Sequence, residues 1–225
     1  MNRRRSRKPA AEPATPTVFI VDDDEAVRDS LGLLLESLGQ SYRAYPAATD
    51  FLEDYDPDRP GCLLLDIRMP GMSGIELQER LNEMGAILPI VFITGHGDVP
   101  LAVKAIRAGA IEFLQKPYYE QELLDHVRRA LAEDAERRRE LEERDLVRQH
   151  FTRLTPRELE VLDLIVEGCA NKVVANRLGV SQRTVEVHRA HVMQKTGASS
   201  FAHLMKMAMV LREDESEEPS ASPPD

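Results

Sequence analysis

Asp22, Asp23 and Asp24 stand in a row, Asp66 follows more than 40 residues later, and Thr94-Gly95 and Lys116-Pro117 come after it. Converging carboxylates cannot all stay ionised cheaply without a counter-charge. A hard dication held by few protein ligands plus water supplies one, which points to Mg²⁺. An Asp carboxylate beside such an ion can attack an incoming phosphoryl group and become an aspartyl-phosphate, whose oxygens Lys116 and the Thr94 hydroxyl can hold. Singly these residues say little: a Thr can end a strand for structural reasons, and an Asp triplet before a helix is often a cap and dipole partner. Their joint placement carries the reading.

That placement depends on the elements around them. Thr17–Val21 is a β-rich run, and Val27, Leu31, Leu34, Leu35 and Leu38 then follow 3.6-residue spacing up to Gly39. Four more strand-helix pairs follow, with strands near Tyr42–Tyr45, Cys62–Leu65, Ile90–Ile93 and Ile111–Gln115 and helices beginning near Ala48, Ser73, Val99 and Glu120. Continuous apolar runs at the third and fourth strands suit strands covered on both faces. Five such units predict an α/β fold, a five-stranded parallel, doubly wound sheet of flavodoxin-like type. Its carboxyl edge gathers Asp22, Asp23, Asp66, Thr94 and Lys116 into one crevice.

Charge divides the chain. The formal net charge is −10 overall, but by segment it is +4 for 1–16, −10 for 17–130, −2 for 131–151, +3 for 152–211 and −5 for 212–225. Both terminal segments lack periodicity and read as disordered tails, the first basic and the second acidic. Residues 17–130 form the α/β domain. Residues 131–151 read as a solvated helical linker, with Glu133–Arg137, Asp134–Arg138 and Glu140–Arg144 at i,i+4 spacing. An acidic block followed by a mildly basic one indicates modules with different partners.

Residues 152–211 show four helices and no strand pattern, an all-α module. Thr155-Pro156-Arg157-Glu158 is a capping box with Pro at the first helical position. Asn171 is the expected cap of a short helix stopping at Gly179, Ser181 caps the next, and Ser199 or Ser200 precedes the last. Short helix, Gly turn and longer helix is the helix-turn-helix layout. On the helix after Ser181, Val185, His188, Val192 and Met193 share an inward stripe, with His188 a packed histidine. Arg183, Thr184, Glu186, Val187, Ala190, His191 and Gln194 face outward. Val187 and Ala190 suit a thymine methyl, while Glu186 suits either a cytosine amino group or an intramolecular pair. Lys172, Arg183 and Lys195 are placed to neutralise phosphates.

Ile20-Val21-Asp22-Asp23-Asp24, Leu65-Asp66-Ile67-Arg68-Met69-Pro70-Gly71-Met72-Ser73-Gly74, Thr94-Gly95-His96-Gly97-Asp98 and Gln115-Lys116-Pro117 resemble a bacterial two-component receiver domain. The resemblance covers residues 17 to about 130. It implies that Asp66 is the phosphoacceptor, that Asp22 and Asp23 hold Mg²⁺ together with Asp66 and the Arg68 carbonyl, and that Thr94, Gly95 and Lys116 lie at the phosphoryl group. Phe113 is then the aromatic switch, and Arg68 and His96 tune dephosphorylation. Asp24 stands where the family often has Glu. Leu154-Thr155-Pro156-Arg157-Glu158 and Thr184-Val185-Glu186-Val187-His188-Arg189-Ala190-His191 are similar to the LuxR-type helix-turn-helix, and the whole chain resembles the FixJ group of response regulators. The implied partners are a sensor histidine kinase, double-stranded DNA, the transcription machinery and, on phosphorylation, a second copy of the chain.

Two other functions compete. An Asp nucleophile beside Mg²⁺ also serves haloacid-dehalogenase-type phosphohydrolases, but Arg68 stands where such an enzyme keeps its acidic proton donor, so no enzymatic turnover is expected. The +3 helical module argues against an adaptor without DNA function. The longest apolar stretch, Ala86 to Ile93, is too short to span a bilayer, and the basic N-terminus lacks an apolar h-region, so the expected location is cytoplasmic, away from membranes. Cys62 and Cys169 lack Cys or His neighbours at ligand spacing, arguing against a disulfide framework or a zinc site.

Overall fold

The computed structural model describes residues 15–95 and 99–217. His96, Gly97 and Asp98 of the Thr94–Asp98 motif and most of both tails lie outside the described residues. Strands and helices alternate as β1 (Thr17–Val21), α1 (Glu25–Ser37), β2 (Tyr42–Tyr45), α2 (Ala48–Asp54), β3 (Gly61–Asp66), α3 (Gly74–Glu83), β4 (Ile90–Thr94), α4 (Val99–Arg107), β5 (Glu112–Gln115) and α5 (Glu120–Phe151). All pairings are parallel, in the order β2-β1-β3-β4-β5. Every residue of β1, β3 and β4 is buried, which is why these strands read as unbroken apolar runs.

Strand periodicity assigns alternate side chains to two core layers. Phe19, Val21, Leu63, Leu65 and Phe92 pack with Phe51 of α2, Leu77 and Leu81 of α3 and Ala105 of α4. Val18, Ile20, Leu64, Val91 and Ile93 pack on the other face with Leu31 and Leu35 of α1 and Leu123, Val127 and Ala130 of α5. Each fully buried Leu, Ile, Val or Phe contributes about 1.5–3 kcal/mol of transfer free energy. The winding reverses at β1, between β2 and β3, so the crevice opens at the carboxyl ends of β1 and β3, where Asp22 and Asp66 stand.

The chain divides into two compact units, Met1–Arg138 and Arg139–Asp225, so the division falls inside α5. The α5 segment expected to be solvated is docked as far as Arg138. The Asp134 carboxylate is buried, accepts the Gly61 N–H at 2.9 Å and pairs with Arg138 Nε at 3.0 Å. Arg138 also donates to the Pro57 and Arg59 carbonyls. One i,i+4 pair is therefore the bolt holding α5 to the loop before β3. Its partners lie far away in sequence, so the charge pattern alone gives no sign of them.

The second unit contains α6 (Pro156–Val166), α7 (Asn171–Leu178), α8 (Gln182–Thr196) and α9 (Phe201–Glu217) around Val161, Leu162, Ile165, Val174, Val185, Val192 and Leu204. The Thr155–Glu158 capping box forms with Pro156 opening α6. Ser181 caps α8 through the Thr184 N–H, and Ser200 Oγ accepts the His203 N–H at the start of α9. Gly179 ends α7 at φ 65°, a left-handed turn that glycine adopts without steric cost.

Two expectations are corrected here. Asn171 is the first residue of α7 and not its cap; Ala170 holds that position, and the Asn171 side-chain oxygen instead accepts from Arg189 of α8. The last helix continues past residue 211 to Glu217, into the segment read as an acidic disordered tail. Among the described residues, no helix is long and apolar enough to cross a membrane.

Candidate functional site

Asp22, one residue past β1, and Asp66, the last residue of β3, are both buried and share one cation. Lys116 Nζ donates to Asp22 Oδ2 at 2.6 Å and to Asp66 Oδ1 at 3.3 Å. The second oxygen of each carboxylate takes a backbone N–H: Asp24 donates to Asp22 Oδ1 at 2.9 Å and Arg68 donates to Asp66 Oδ2 at 2.7 Å. Burial pushes the Asp66 carboxyl above the usual carboxylate range, and Lys116 and the Arg68 amide offset this only in part. Burial alone would lower the Lys116 ammonium, but its bond to Asp22, with Asp66 adding charge, raises it.

The surroundings fix this cluster. Asp24 caps α1 through the Ala26 N–H, and Arg28 donates to the Asp22 carbonyl at 2.8 Å, which fastens the loop after β1. The Thr94 side chain is buried, and its carbonyl accepts the Lys116 N–H at 2.7 Å, bringing the end of β4 to the lysine. Ser73 and Glu76 form a capping box at the start of α3. Gly74 follows directly, so close to the Asp66 carbonyl that a Cβ there would collide with it. Phe113 is half-buried and packs against the core layer containing Phe92 and Ala105. Asp23 is exposed and, with Arg68, Met69, Leu101 and Lys104, lines a groove of about 650 Å³. Gly95 is exposed at the end of β4.

Asp22, Asp66, Thr94 and Lys116 thus come together from the ends of four strands, whereas Asp23 stands on the exposed side. The donor set suits a hard dication: the two buried carboxylates, 22 and 66, share one ammonium, and the exposed Asp23 beside them adds a third negative charge that Mg²⁺ would offset.

In the second unit, Val185 and Val192 of α8 are buried, while Arg183, Glu186, Val187, Ala190 and His191 are exposed. Arg183, with a side chain 84% exposed, pairs with Glu186 at 3.3 Å, so Glu186 has the intramolecular partner that its spacing allowed. Thr184 is half-buried and its hydroxyl meets Ser181 Oγ, while Lys172 is exposed on α7. Lys195 differs from the other basic residues: its Nζ donates to buried Glu158 Oε2 at 2.6 Å, which commits much of its charge inside the domain. Its bond and those from Thr155 hold the Glu158 carboxyl at about 2.

The sequence reading missed Arg28 and, although Gly74 and Arg189 stand within its motifs, gave those two no role. Arg28 and Gly74 position the acidic crevice, and Arg189 ties α8 to α7 through Asn171 while lying over the Phe201 ring at 5.3 Å. The i,i+3 spacing of Ser181 and Thr184 and the Ser73-Glu76 box were local signals; Arg28 and Arg189 had none.

Residues 18–128 match the family described as response regulator receiver domain, and residues 152–208 match bacterial regulatory proteins of the luxR family. The chain is 44% identical over 198 residues to the transcriptional regulatory protein FixJ of Azorhizobium caulinodans, covering 88% of this chain and 94% of that protein. It is also 44% identical to the C4-dicarboxylate transport transcriptional regulatory protein DctR of Rhodobacter capsulatus, over 85% of this chain and 98% of that one. Among solved structures, the response regulator StyR superposes with a TM-score of 0.78 at 50% identity, covering 87% of this chain and 99% of that one.

Proposed function

The chain belongs to the two-component response regulators that join a receiver domain to a LuxR-type DNA-binding domain, transcriptional regulators and not enzymes, and from that membership we propose that phosphorylation of Asp66 controls its dimerisation and DNA binding. Receiver domains bind Mg²⁺ at their phosphorylation site, and sensor kinases and DNA are the partners these two domains imply. The domains are taken as 17–130 and 152–211, working in the cytoplasm. The observation that carries the proposal is the bridge from Lys116 to both buried carboxylates, Asp22 and Asp66, at the carboxyl edge of the sheet.

An Asp66 oxygen attacks the phosphorus of the kinase's phosphohistidine. The new P–O bond forms as the P–N bond breaks, and the imidazole leaves with the electron pair. Mg²⁺ held by Asp22, Asp23, Asp66 and the Arg68 carbonyl would neutralise the charge gathering on the transferred oxygens. Lys116 turns from the two carboxylates to the phosphoryl oxygens, and the Thr94 hydroxyl donates to another. Movement of Thr94 leaves space into which Phe113 turns, reshaping the α4 and β5 surface from about 99 to 115, where two chains associate. Dimerisation sets two α8 helices on half-sites roughly 10 base pairs apart. There Arg183, Thr184, Glu186, Val187, Ala190 and His191 meet DNA, with Lys172 and Lys195 at phosphates, and the bound dimer then engages the transcription machinery.

Sedimentation velocity with and without a small phosphodonor and Mg²⁺ tests this. The wild type is expected to shift from monomer to dimer and Asp66→Asn to remain monomeric. Dimerisation of Asp66→Asn to the same extent on adding the donor would refute the mechanism.

A further inference from the structure

The DNA-binding module contains a cluster in which His191 and Lys195 have a part in the DNA-binding reading and Glu158 and His188 have none. Glu158, in the first turn of α6, has a side chain only 4% exposed, and its two oxygens differ. Oε2 accepts from the Thr155 N–H at 2.8 Å, from Thr155 Oγ1 at 3.0 Å and from Lys195 Nζ at 2.6 Å. Oε1 faces His191 Nδ1 at 3.7 Å, beyond hydrogen-bond reach. One helical turn back on α8, His188 Nδ1 is sealed from solvent with no hydrogen-bond partner among the described residues. A buried polar atom left unpaired costs about 1–3 kcal/mol. One ligand atom from each of Glu158, His188 and His191 lies within 4.8 Å of the other two.

We propose that Glu158, His188 and His191 form a binding site for a divalent transition-metal ion of the zinc class. Two imidazoles and a carboxylate are a donor set that zinc accepts, with a fourth position left to water. Around a tetrahedral ion with bonds of about 2.0–2.1 Å, ligand atoms stand about 3.3 Å apart, so the three need close by no more than about 1.5 Å. His191, with a side chain 52% exposed, has the freedom to make that movement, while Glu158 and the half-buried His188 are already fixed by packing. Lys195 and Thr155 orient the carboxylate from behind. The Lys195 ammonium is also a like charge beside the ion, so binding is weaker than at a four-ligand structural zinc site. A bound ion would clamp α6 to α8, and ligation through His188 Nδ1 would satisfy that orphaned nitrogen. No Cys-x-x-Cys or His-Cys spacing announces the site because its third ligand comes from 30 residues upstream through the tertiary fold.

The test titrates the full-length chain with Zn²⁺ by calorimetry, and with Co²⁺ by visible absorption, in saturating Mg²⁺ to occupy the receiver. The expected result is one equivalent of Zn²⁺ per chain and the Co²⁺ bands of a low-coordinate site. Both should weaken by at least about 100-fold in His191→Ala, whose exposed side chain is removable without loss of fold. Glu158→Gln should weaken them too, with circular dichroism verifying its helicity. Equal uptake by the wild type and His191→Ala would overturn the proposal. So would the absence of any Zn²⁺ uptake, or a Zn²⁺ equivalent lost in Asp66→Asn and kept in His191→Ala, which would assign the ion to the receiver.

Discussion

Replacing Asp134 with Ala is expected to destabilise the N-terminal unit severely, although the residue lies in a helix that reads as a charged surface. Removing the carboxylate leaves the buried Gly61 N–H without its acceptor at 2.9 Å, a loss of about 1–3 kcal/mol. It also takes both oxygens from Arg138 Nε, each at 3.0 Å. Breaking a buried pair by deleting one partner costs about 3–5 kcal/mol in all. Arg138, one-fifth exposed, keeps its bonds to the Pro57 and Arg59 carbonyls and some water, which puts the total near the lower end, about 3 kcal/mol. For a domain of this size, each kcal/mol moves the melting temperature by roughly 3–5 °C, so a drop of about 10 °C or more is expected in calorimetry. In an Arg138→Ala background the same substitution should cost at least about 1 kcal/mol less, the signature of a coupled pair. A loss below about 1 kcal/mol with no coupling would show that Asp134 acts as an exposed i,i+4 partner, and the argument for a bolted α5 would fail.

Glu158 gives the C-terminal domain a pH dependence. Its carboxyl titrates at about 2 in the fold against 4.5 ordinarily, so the stability it contributes is complete above 4.5 and disappears as pH falls from 4.5 through 2. Urea unfolding of the wild type and Glu158→Gln should therefore converge across that window; a constant gap between them would contradict the assignment. Gly74→Ala drives a methyl into the Asp66 carbonyl and should cost about 1–3 kcal/mol while slowing phosphoryl uptake; a variant with wild-type stability and uptake would show that the contact is not restrictive. Arg183→Ala removes an exposed cation whose partner among the described residues is Glu186, so folding stability should change by no more than about 0.5 kcal/mol. The salt slope of DNA binding should fall by about 0.9 if Arg183 neutralises one phosphate, and an unchanged slope in mobility-shift assays would remove it from the interface.

Much of this architecture was legible because local pattern and tertiary demand agree. The unbroken apolar runs of β3 and β4, the Thr155–Glu158 box and the Gly179 turn each specify one element without reference to distant residues. The acidic crevice was legible for a different reason: a parallel sheet always presents its strand ends on one edge, so Asp22, Asp66, Thr94 and Lys116 had to meet once the strands were placed. What remained hidden depends on pairings across the fold. Asp134 resembles any helical surface carboxylate until Gly61 is beside it, and no local spacing announces the bond from Lys195 to Glu158. Asn171 reads as a cap by residue type, but Arg189 supplies a competing partner that spacing does not show. The last helix outruns the expected boundary at 211 because the acidic composition beyond it says more about solvation than about backbone conformation.

The central claim is that Asp66 carries the phosphoryl group. Peptide mass mapping after incubation with a small phosphodonor and Mg²⁺ tests it most directly. A hydroxylamine-labile gain of one phosphate on the peptide containing Asp66, absent in Asp66→Asn, is the predicted result. A labelled peptide elsewhere, or no label on a folded chain, would contradict it.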